Sequence, residues 1–164
     1  PFMGSRPAAE QRKTVFLEGG ASDMVARADR VLASLSSFRR AVGDESQAAS
    51  LKLAFNVHVA ITMQGICEGL HLAREAGLGD DDFFQVLQPT ALWSNFHGMK
   101  EPKLRSHDYA AQFSVKHMLK DIRLATEFAG DAALPLAQAV REQLARAAGR
   151  GFSEQDMAAL IEVL

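Results

Sequence analysis

The chain has 164 residues, of which 48% are hydrophobic and 23% charged, which is enough apolar sequence for a packed core and excludes a disordered or collagen-like chain. The 18 basic and 20 acidic residues give a net charge of −2, so there is no basic surplus to attract nucleic acid or an anionic membrane surface. The single cysteine, Cys67, excludes a disulfide within the chain and is typical of a reducing compartment, which favours a cytoplasmic protein.

The N-terminal part of the chain carries a strand–helix–strand pattern. Residues 14–17 are rich in β-branched and aromatic side chains and are followed by two glycines, which predicts a strand and a turn. Residues 22–35 place apolar side chains on one helical stripe, with Ser22 or Asp23 at the cap position. A second strand is predicted over residues 38–42. Because so small a sheet leaves its edges and one face uncovered, we expect it to be the end of a larger sheet domain.

Beyond residue 43 the pattern is helical throughout, which predicts a mainly α protein. A helix over residues 47–76, ended by Gly77, would extend about 45 Å. Its apolar side chains fall on nearly every face, and such a helix is normally enclosed by others or shared with a second subunit. Further helices are predicted over residues 81–87, 114–128, 134–148 and 153–164, with a looser stretch of short helix and loop over residues 92–109.

Several kinds of site find no support in the sequence. The five histidines have no zinc-binding spacing, and we expect His58, inside the long helix, to be a core residue. The chain has neither a G-x-S-x-G nucleophile elbow nor a G-x-G-x-x-G nucleotide loop. The most apolar run, residues 51–67, is interrupted by polar side chains and makes a poor membrane span. We therefore predict no metal site, no nucleic acid partner and no membrane association.

Lys52 is unusual because it lies within an apolar helix, with Asn56 one turn later on the same face. In one interpretation its stem packs on the helix while its ammonium reaches water. In the other, Lys52 is a proton donor, because a partly desolvated ammonium gives its proton more readily to a substrate oxygen. Asn56 would then hold that oxygen or orient the amine.

Two further features are ambiguous by themselves. Lys120 and Asp121 form either a surface ion pair or part of a cleft, and their spacing alone favours the ion pair. Gly4, within the segment Met3-Gly4-Ser5, would let a ligand approach the backbone closely.

Together these residues form motifs that resemble the β-hydroxyacid dehydrogenases, in particular the glyoxylate and succinic semialdehyde reductases of the 3-hydroxyisobutyrate dehydrogenase group. Residues 2–20 (FMGSRPAAEQRKTVFLEGG) resemble the stretch that closes the family's nucleotide-binding domain. Residues 52–56 (KLAFN) match its catalytic lysine and the asparagine that follows. Residues 113–125 (FSVKHMLKDIRLA) match the run F-x-x-KH-x-x-KD-x-x-LA, and residues 151–164 resemble the C-terminal helix.

The resemblance implies a fold, a cofactor and roles for individual residues. Residues 1–43 would be the last strand–helix–strand of a Rossmann domain, and residues 44–164 an all-α catalytic and dimerisation domain of the 6-phosphogluconate dehydrogenase type. The cofactor would be NADP or NAD, with the choice left open. The implied roles are Lys52 as general acid/base, Asn56 as its substrate-positioning partner, Lys120 at the nicotinamide end of the cofactor, and Met3, Gly4, Ser5, Phe113 and Asp121 in the substrate cleft.

The implied reaction is hydride transfer between the nicotinamide and a small carbonyl compound or hydroxy acid. The sequence departs from the family at Met3, where a serine usually precedes the glycine, and a thioether donates no hydrogen bond to a carboxylate. A bulkier or less charged carbonyl compound, or an imine, is therefore an alternative substrate. Because the chain lacks a dinucleotide loop, we expect it to be an N-terminally truncated piece of an enzyme, inactive by itself.

Two other functions stay open at this point. The helical region would be a non-catalytic dimerisation or binding module, or the protein would be similar to imine reductases, which generally have another residue in place of Lys52. The apolar long helix and the resemblance both predict a homodimer or homotetramer.

Overall fold

A computed structural model describes residues 1–130 and 134–164 of the chain. These residues form two compact units, Pro1–Val57 and His58–Leu164. The first unit contains a small sheet and the second is helical, which confirms the predicted mainly α class. The domain boundary predicted between residues 43 and 44 stays a prediction.

The N-terminal unit is built on three strands in the order β1-β2-β3. β1 (Phe2–Met3) pairs antiparallel with β2 (Thr14–Glu18), and β2 pairs parallel with β3 (Ser36–Ala41). α2 (Ser22–Leu32) connects the parallel pair, since parallel neighbours need a crossover. The predicted strand–helix–strand is confirmed, whereas the short α1 (Arg6–Glu10) was not indicated by the sequence pattern.

The predicted bounds and cap of α2 are wrong in detail. The helix ends earlier than predicted, at Leu32, and Ala21 occupies the N-cap position, so neither Ser22 nor Asp23 caps it. No residue of α2 is buried, and Phe38 on β3 is 56% exposed. Apolar side chains therefore remain on the surface of this unit, as expected for a sheet of this size.

α3 (Glu45–Glu75) is the predicted long helix and has 31 residues. After it, Gly77 takes a φ of +78°, a conformation that favours glycine and confirms the predicted stop. Met63 and Leu70 lie on the buried face of α3 and are 0% exposed. The prediction that His58 is a core residue is wrong, because this side chain lies on the opposite, exposed face.

The core of the helical unit lies between α6 (Val115–Ala129), α7 (Pro135–Ala147) and a C-terminal 3₁₀ segment (Met157–Val163). α4 (Asp80–Leu87) and α5 (Asn95–Ser106) complete the unit. A short segment (Ala148–Phe152) follows α7 and is kinked at Gly151, which has a φ of +94°. The fully buried apolar side chains of the helical unit include Met63, Leu70, Phe84, Leu104, Met118, Ile122, Leu144 and Leu160. Within the described part of the chain, no helix has the length and apolarity to cross a membrane.

Two predicted elements of this unit are corrected. The stretch predicted to be loose contains the regular helix α5, which includes Pro102 and is anchored by the burial of Lys100 and Leu104 one turn apart. The predicted terminal α-helix is instead the 3₁₀ segment, and its N-cap is Asp156, whose carboxylate accepts a hydrogen bond from the N–H of Ala158. In both segments, tertiary contacts determine which kind of helix forms.

Candidate active site

Lys52 and Asn56 extend from one side of α3, one turn apart. Asn56 is buried, with 6% of its surface exposed, whereas Lys52 is half-buried. The amide is therefore enclosed while the lysine keeps access to solvent. A lysine in this position can exchange its proton with water and still present it to a bound molecule.

The segment Met3-Gly4-Ser5 leads from β1 into α1. Gly4 has a φ of +145°, and a Cβ placed on it would lie 3.3 Å from the Cβ of Ala8, so glycine is required here. This close approach is to the protein's own chain, and the approach of a ligand stays a prediction. Ser5 occupies the N-cap position of α1, but its side chain makes no capping hydrogen bond, so its hydroxyl is not used by the helix.

The pair Lys120–Asp121 lies on α6 and joins an exposed cation to a buried carboxylate. The Nζ atom of Lys120 lies 2.6 Å from Oδ1 of Asp121, and the side chains are 59% and 4% exposed. A fully exposed ion pair would leave both groups mobile, but here the buried carboxylate fixes one end. The arrangement holds a lysine ammonium toward solvent, where it can meet an anionic or polar ligand.

Phe113 lies two residues before the start of α6 and is half-buried. Its ring centroid lies 6.4 Å from that of His117, one turn into the helix, as their spacing predicts. The hydroxyl of Ser114, at the N-cap position, lies 3.0 Å from Nδ1 of His117 and forms a hydrogen bond with the imidazole. Phe113 and the first turn of α6 are therefore ordered together.

Lys100 and Asp156 form a buried ion pair that sequence reasoning missed. The Nζ atom of Lys100 lies 2.7 Å from Oδ1 of Asp156, and the side chains are 2% and 0% exposed. Burial lowers the pKa of Lys100 below its usual value, and the Asp156 carboxylate opposes that shift. The only local signal was that Asp156 precedes an apolar run, as helix caps do. Nothing near Lys100 in the sequence indicates its partner.

The structure places the predicted site residues in both compact units. Met3, Gly4, Ser5, Lys52 and Asn56 belong to the N-terminal unit, and Phe113, Lys120 and Asp121 belong to the helical unit. The assembly of these two groups into one site stays a prediction. Among residues 1–130 and 134–164, no group of three or more His, Cys, Asp or Glu side chains is arranged to hold a metal ion.

Residues 46–164 match the family described as "NAD-binding of NADP-dependent 3-hydroxyisobutyrate dehydrogenase". The chain belongs to this family. The resemblance drawn from the motifs is thus confirmed, and the expected cofactor class, NADP or NAD, agrees with the family's description.

Individual relatives include both reductases and a protein named as a nuclear factor. Glyoxylate/succinic semialdehyde reductase 2, chloroplastic, from Arabidopsis thaliana is 28% identical over 100% of this chain and 46% of its own length. Cytokine-like nuclear factor N-PAC from Aedes aegypti is 28% identical over 97% of this chain and 29% of its own length. The chain therefore spans about half the length of the reductase, and less of the nuclear factor.

A solved structure confirms the fold. The crystal structure of 3-hydroxyisobutyrate dehydrogenase from Salmonella typhimurium matches 100% of this chain and 59% of its own, with a TM-score of 0.89 at 21% identity. At this level of identity the likeness concerns the fold, so the chemistry has to be argued from the residues.

Proposed function

We propose that the protein is an NAD(P)-dependent oxidoreductase that transfers a hydride between the nicotinamide and a small carbonyl compound or hydroxy acid, with Lys52 as general acid/base. The observation that carries this proposal is the placement of Lys52 beside buried Asn56 on α3, in a chain that belongs to a dehydrogenase family. A half-buried amine one turn from a buried amide suits proton transfer to an oxygen that the amide holds.

Lys52 moves the proton that the reaction requires. In reduction its ammonium donates a proton to the carbonyl oxygen, and in oxidation its neutral amine accepts a proton from the hydroxyl. Half-burial supports this role, since the amine has to exchange protons with water between turnovers. Asn56 is enclosed, and its amide can donate to a substrate oxygen through its N–H.

The residues on and before α6 fit the nicotinamide end of a dinucleotide. Lys120 offers an exposed ammonium fixed by Asp121, which suits a phosphate or carboxamide oxygen. The half-buried ring of Phe113 adds an apolar flank. When bound, the dinucleotide supplies or accepts the hydride.

Replacement of Lys52 tests the proposal. In the full natural protein that contains these 164 residues, we expect Lys52→Ala and Lys52→Arg to lower kcat by about 10²- to 10⁴-fold while cofactor binding persists. Arginine keeps the positive charge but does not release its proton, so it separates charge from proton transfer. Lys103→Ala is the matched control, since Lys103 is another half-buried lysine, lies outside the candidate site and bonds the carbonyl of Ala110. A kcat for Lys52→Arg close to that of the wild type would contradict the assignment.

The second candidate function is a non-catalytic binding or dimerisation module. It is favoured by the relative named as a nuclear factor and by Met3, which removes a hydroxyl donor from the substrate segment. Titration with NADPH and NADH, followed by nicotinamide fluorescence, separates the two functions. Saturable binding to the full natural protein favours the enzyme, and no response with either cofactor favours the module. We expect no turnover by the 164 residues alone, because they contain no G-x-G-x-x-G loop.

Met3 also bears on the substrate. Because a thioether donates no hydrogen bond, we expect succinic semialdehyde to bind less well than a neutral ketone or an imine of similar size. Met3→Ser should lower the KM for succinic semialdehyde by about 10- to 100-fold, the effect of one hydrogen bond to a carboxylate, and leave the ketone unchanged. Met24→Ser on the exposed surface of α2 is the control. An equal effect on both substrates would show that residue 3 does not face the carboxylate.

The proposal includes a homodimer or homotetramer and a cytoplasmic location. Apolar side chains remain exposed on α3, including Leu51 at 44%, Phe55 at 43% and Leu72 at 71%. Faces of this kind are typical of subunit contacts. Light scattering should give at least twice the monomer mass, and a monomer at micromolar concentration would contradict the assembly.

A further inference from the structure

The buried carboxylate of Asp156 accepts four hydrogen bonds in the helical unit. Its Oδ1 accepts hydrogen bonds from Nζ of Lys100 at 2.7 Å and from the N–H of Ala158 at 3.1 Å. Its Oδ2 accepts from the N–H groups of Gln112 at 2.9 Å and Phe113 at 3.1 Å. Capping the 3₁₀ segment requires only one of these four bonds, so the other three serve another purpose.

Lys100 holds this carboxylate in one orientation. Besides bonding Asp156, its ammonium lies 3.4 Å from Oε1 of Gln112 and 5.8 Å from the ring centroid of Phe96. The ammonium and the carboxylate are almost completely buried, so neither has water to replace its partner. The pair therefore ties α5 to the segment that leads into α6.

Backbone hydrogen bonds fasten the same segment along its length. The N–H of Met157 donates to the carbonyl of Phe113 at 3.0 Å, and the N–H of Val115 donates to the carbonyl of Gln155 at 2.9 Å. Ser114 and Asp156 form an isolated antiparallel bridge between these bonds. Phe113 thus has both its backbone N–H and its carbonyl fixed by the residues around Asp156.

We propose that Asp156, oriented by Lys100, is a positioning residue for the candidate site. Its carboxylate fixes the backbone at Gln112 and Phe113, and with it the Phe113 ring and the start of the helix that carries Lys120. The expected effect of Asp156 on catalysis rests on the proposed function. Its expected effect on the backbone at Gln112 and Phe113 concerns the helical unit alone. Lys100 and Asp156 touch neither substrate nor cofactor in this role.

The experiment compares Lys100→Met and Asp156→Asn with Arg74→Met in the full natural protein. Arg74→Met is the matched control, because it removes another ion pair of the helical unit, the bond between Arg74 and Asp80 at 2.8 Å, which does not reach residues 112–114. Amide hydrogen exchange is measured at Phe113 relative to Ile122, a buried residue of α6. KM and kcat are measured with NADPH and succinic semialdehyde.

Two results are expected if Asp156 positions the site. Exchange at Phe113 relative to Ile122 should rise about tenfold or more in both variants and stay unchanged in Arg74→Met, since one lost hydrogen bond to a charged group is of this size. The KM values should rise about tenfold, with a smaller change in kcat. Simple loss of folded protein would lower the apparent kcat and leave KM unchanged, so it does not imitate this pattern.

Other results would overturn the inference. An unchanged exchange ratio, or a change of the same size in Arg74→Met, would show that Asp156 does not specifically hold Phe113. An unchanged KM in a variant with faster exchange would show that the held segment does not position the site. If the wild type neither binds NADPH nor turns over, the proposed function has failed, and the exchange ratio alone decides whether Asp156 holds the segment.

Discussion

Two ion pairs, one from each compact unit, lie at different depths. In the N-terminal unit Arg39 bonds Asp29, and the two side chains are 28% and 46% exposed. In the helical unit Lys100 and Asp156 are 2% and 0% exposed. Ion pairs near the surface contribute little because water solvates both charges in either state, whereas a buried charge without its partner is very costly. Depth therefore decides which pair shapes the structure around it.

The two interiors also differ in polarity. The N-terminal unit buries Thr14, Glu18 and Asn56 beside few apolar side chains. Buried side-chain oxygens without a hydrogen-bond partner among the described residues occur in both units, at Glu18 in the N-terminal unit and at Gln64 and Gln143 in the helical unit. In the helical unit the described core is largely apolar, and the Asp156 carboxylate has four donors. Burial of apolar side chains stabilises a folded unit, so we expect the helical unit, which has the larger apolar core, to be the more stable of the two.

The largest effect on stability is expected when one residue of the buried ion pair is replaced, and the same replacement in the surface pair gives the comparison. Lys100→Met should lower the free energy of unfolding by about 3–5 kcal/mol, because it leaves the Asp156 carboxylate buried without its cation. Arg39→Met should lower it by less than about 1 kcal/mol. Urea denaturation measures both values. Similar losses of unfolding free energy in the two variants would contradict the claim that the depth of an ion pair decides its contribution to stability.

An intermediate effect is expected at Gly4 in the N-terminal unit. Gly4→Ala should destabilise the protein by about 1–3 kcal/mol, because alanine at a φ of +145° is strained and its Cβ would crowd Ala8. Gly65→Ala is the control, since a Cβ at this helical position meets nothing within 4 Å and should stabilise the protein by about 0.5–1 kcal/mol. Losses of equal size at both glycines would mean that the conformation of Gly4 is not required.

The smallest expected effect is a pH dependence at a half-buried pair in the helical unit. The hydrogen bonds from Arg74 hold the pKa of Asp80 below its usual 3.8. A carboxyl group with a lowered pKa stabilises the folded state above its usual pKa, and that stabilisation is lost as the pH falls through the lowered value. Asp80→Asn should therefore be less stable than the wild type at neutral pH, with a difference that shrinks below pH 3.8. A difference that is constant with pH would contradict the shift.

The sequence by itself determined the helical class, the long helix and the family. A long run without proline, ended by Gly77, was sufficient for α3, because helix formation and termination depend on neighbours within one turn. The motif over residues 113–125 identified the family because its polar residues recur at fixed spacing on one helix.

Only the tertiary structure decided which residues are buried and which residues contact one another. Apolar positions around α3 left its solvent face undefined, so His58 was assigned to the wrong side. α5 forms across Pro102 because the burial of Lys100 and Leu104 outweighs local propensity. Lys100 and Asp156 lie 56 positions apart, and no local pattern pairs them. A buried charge needs a partner of opposite sign, and the fold of the whole chain brings the two together. The residues near either charge in the sequence do not specify this contact.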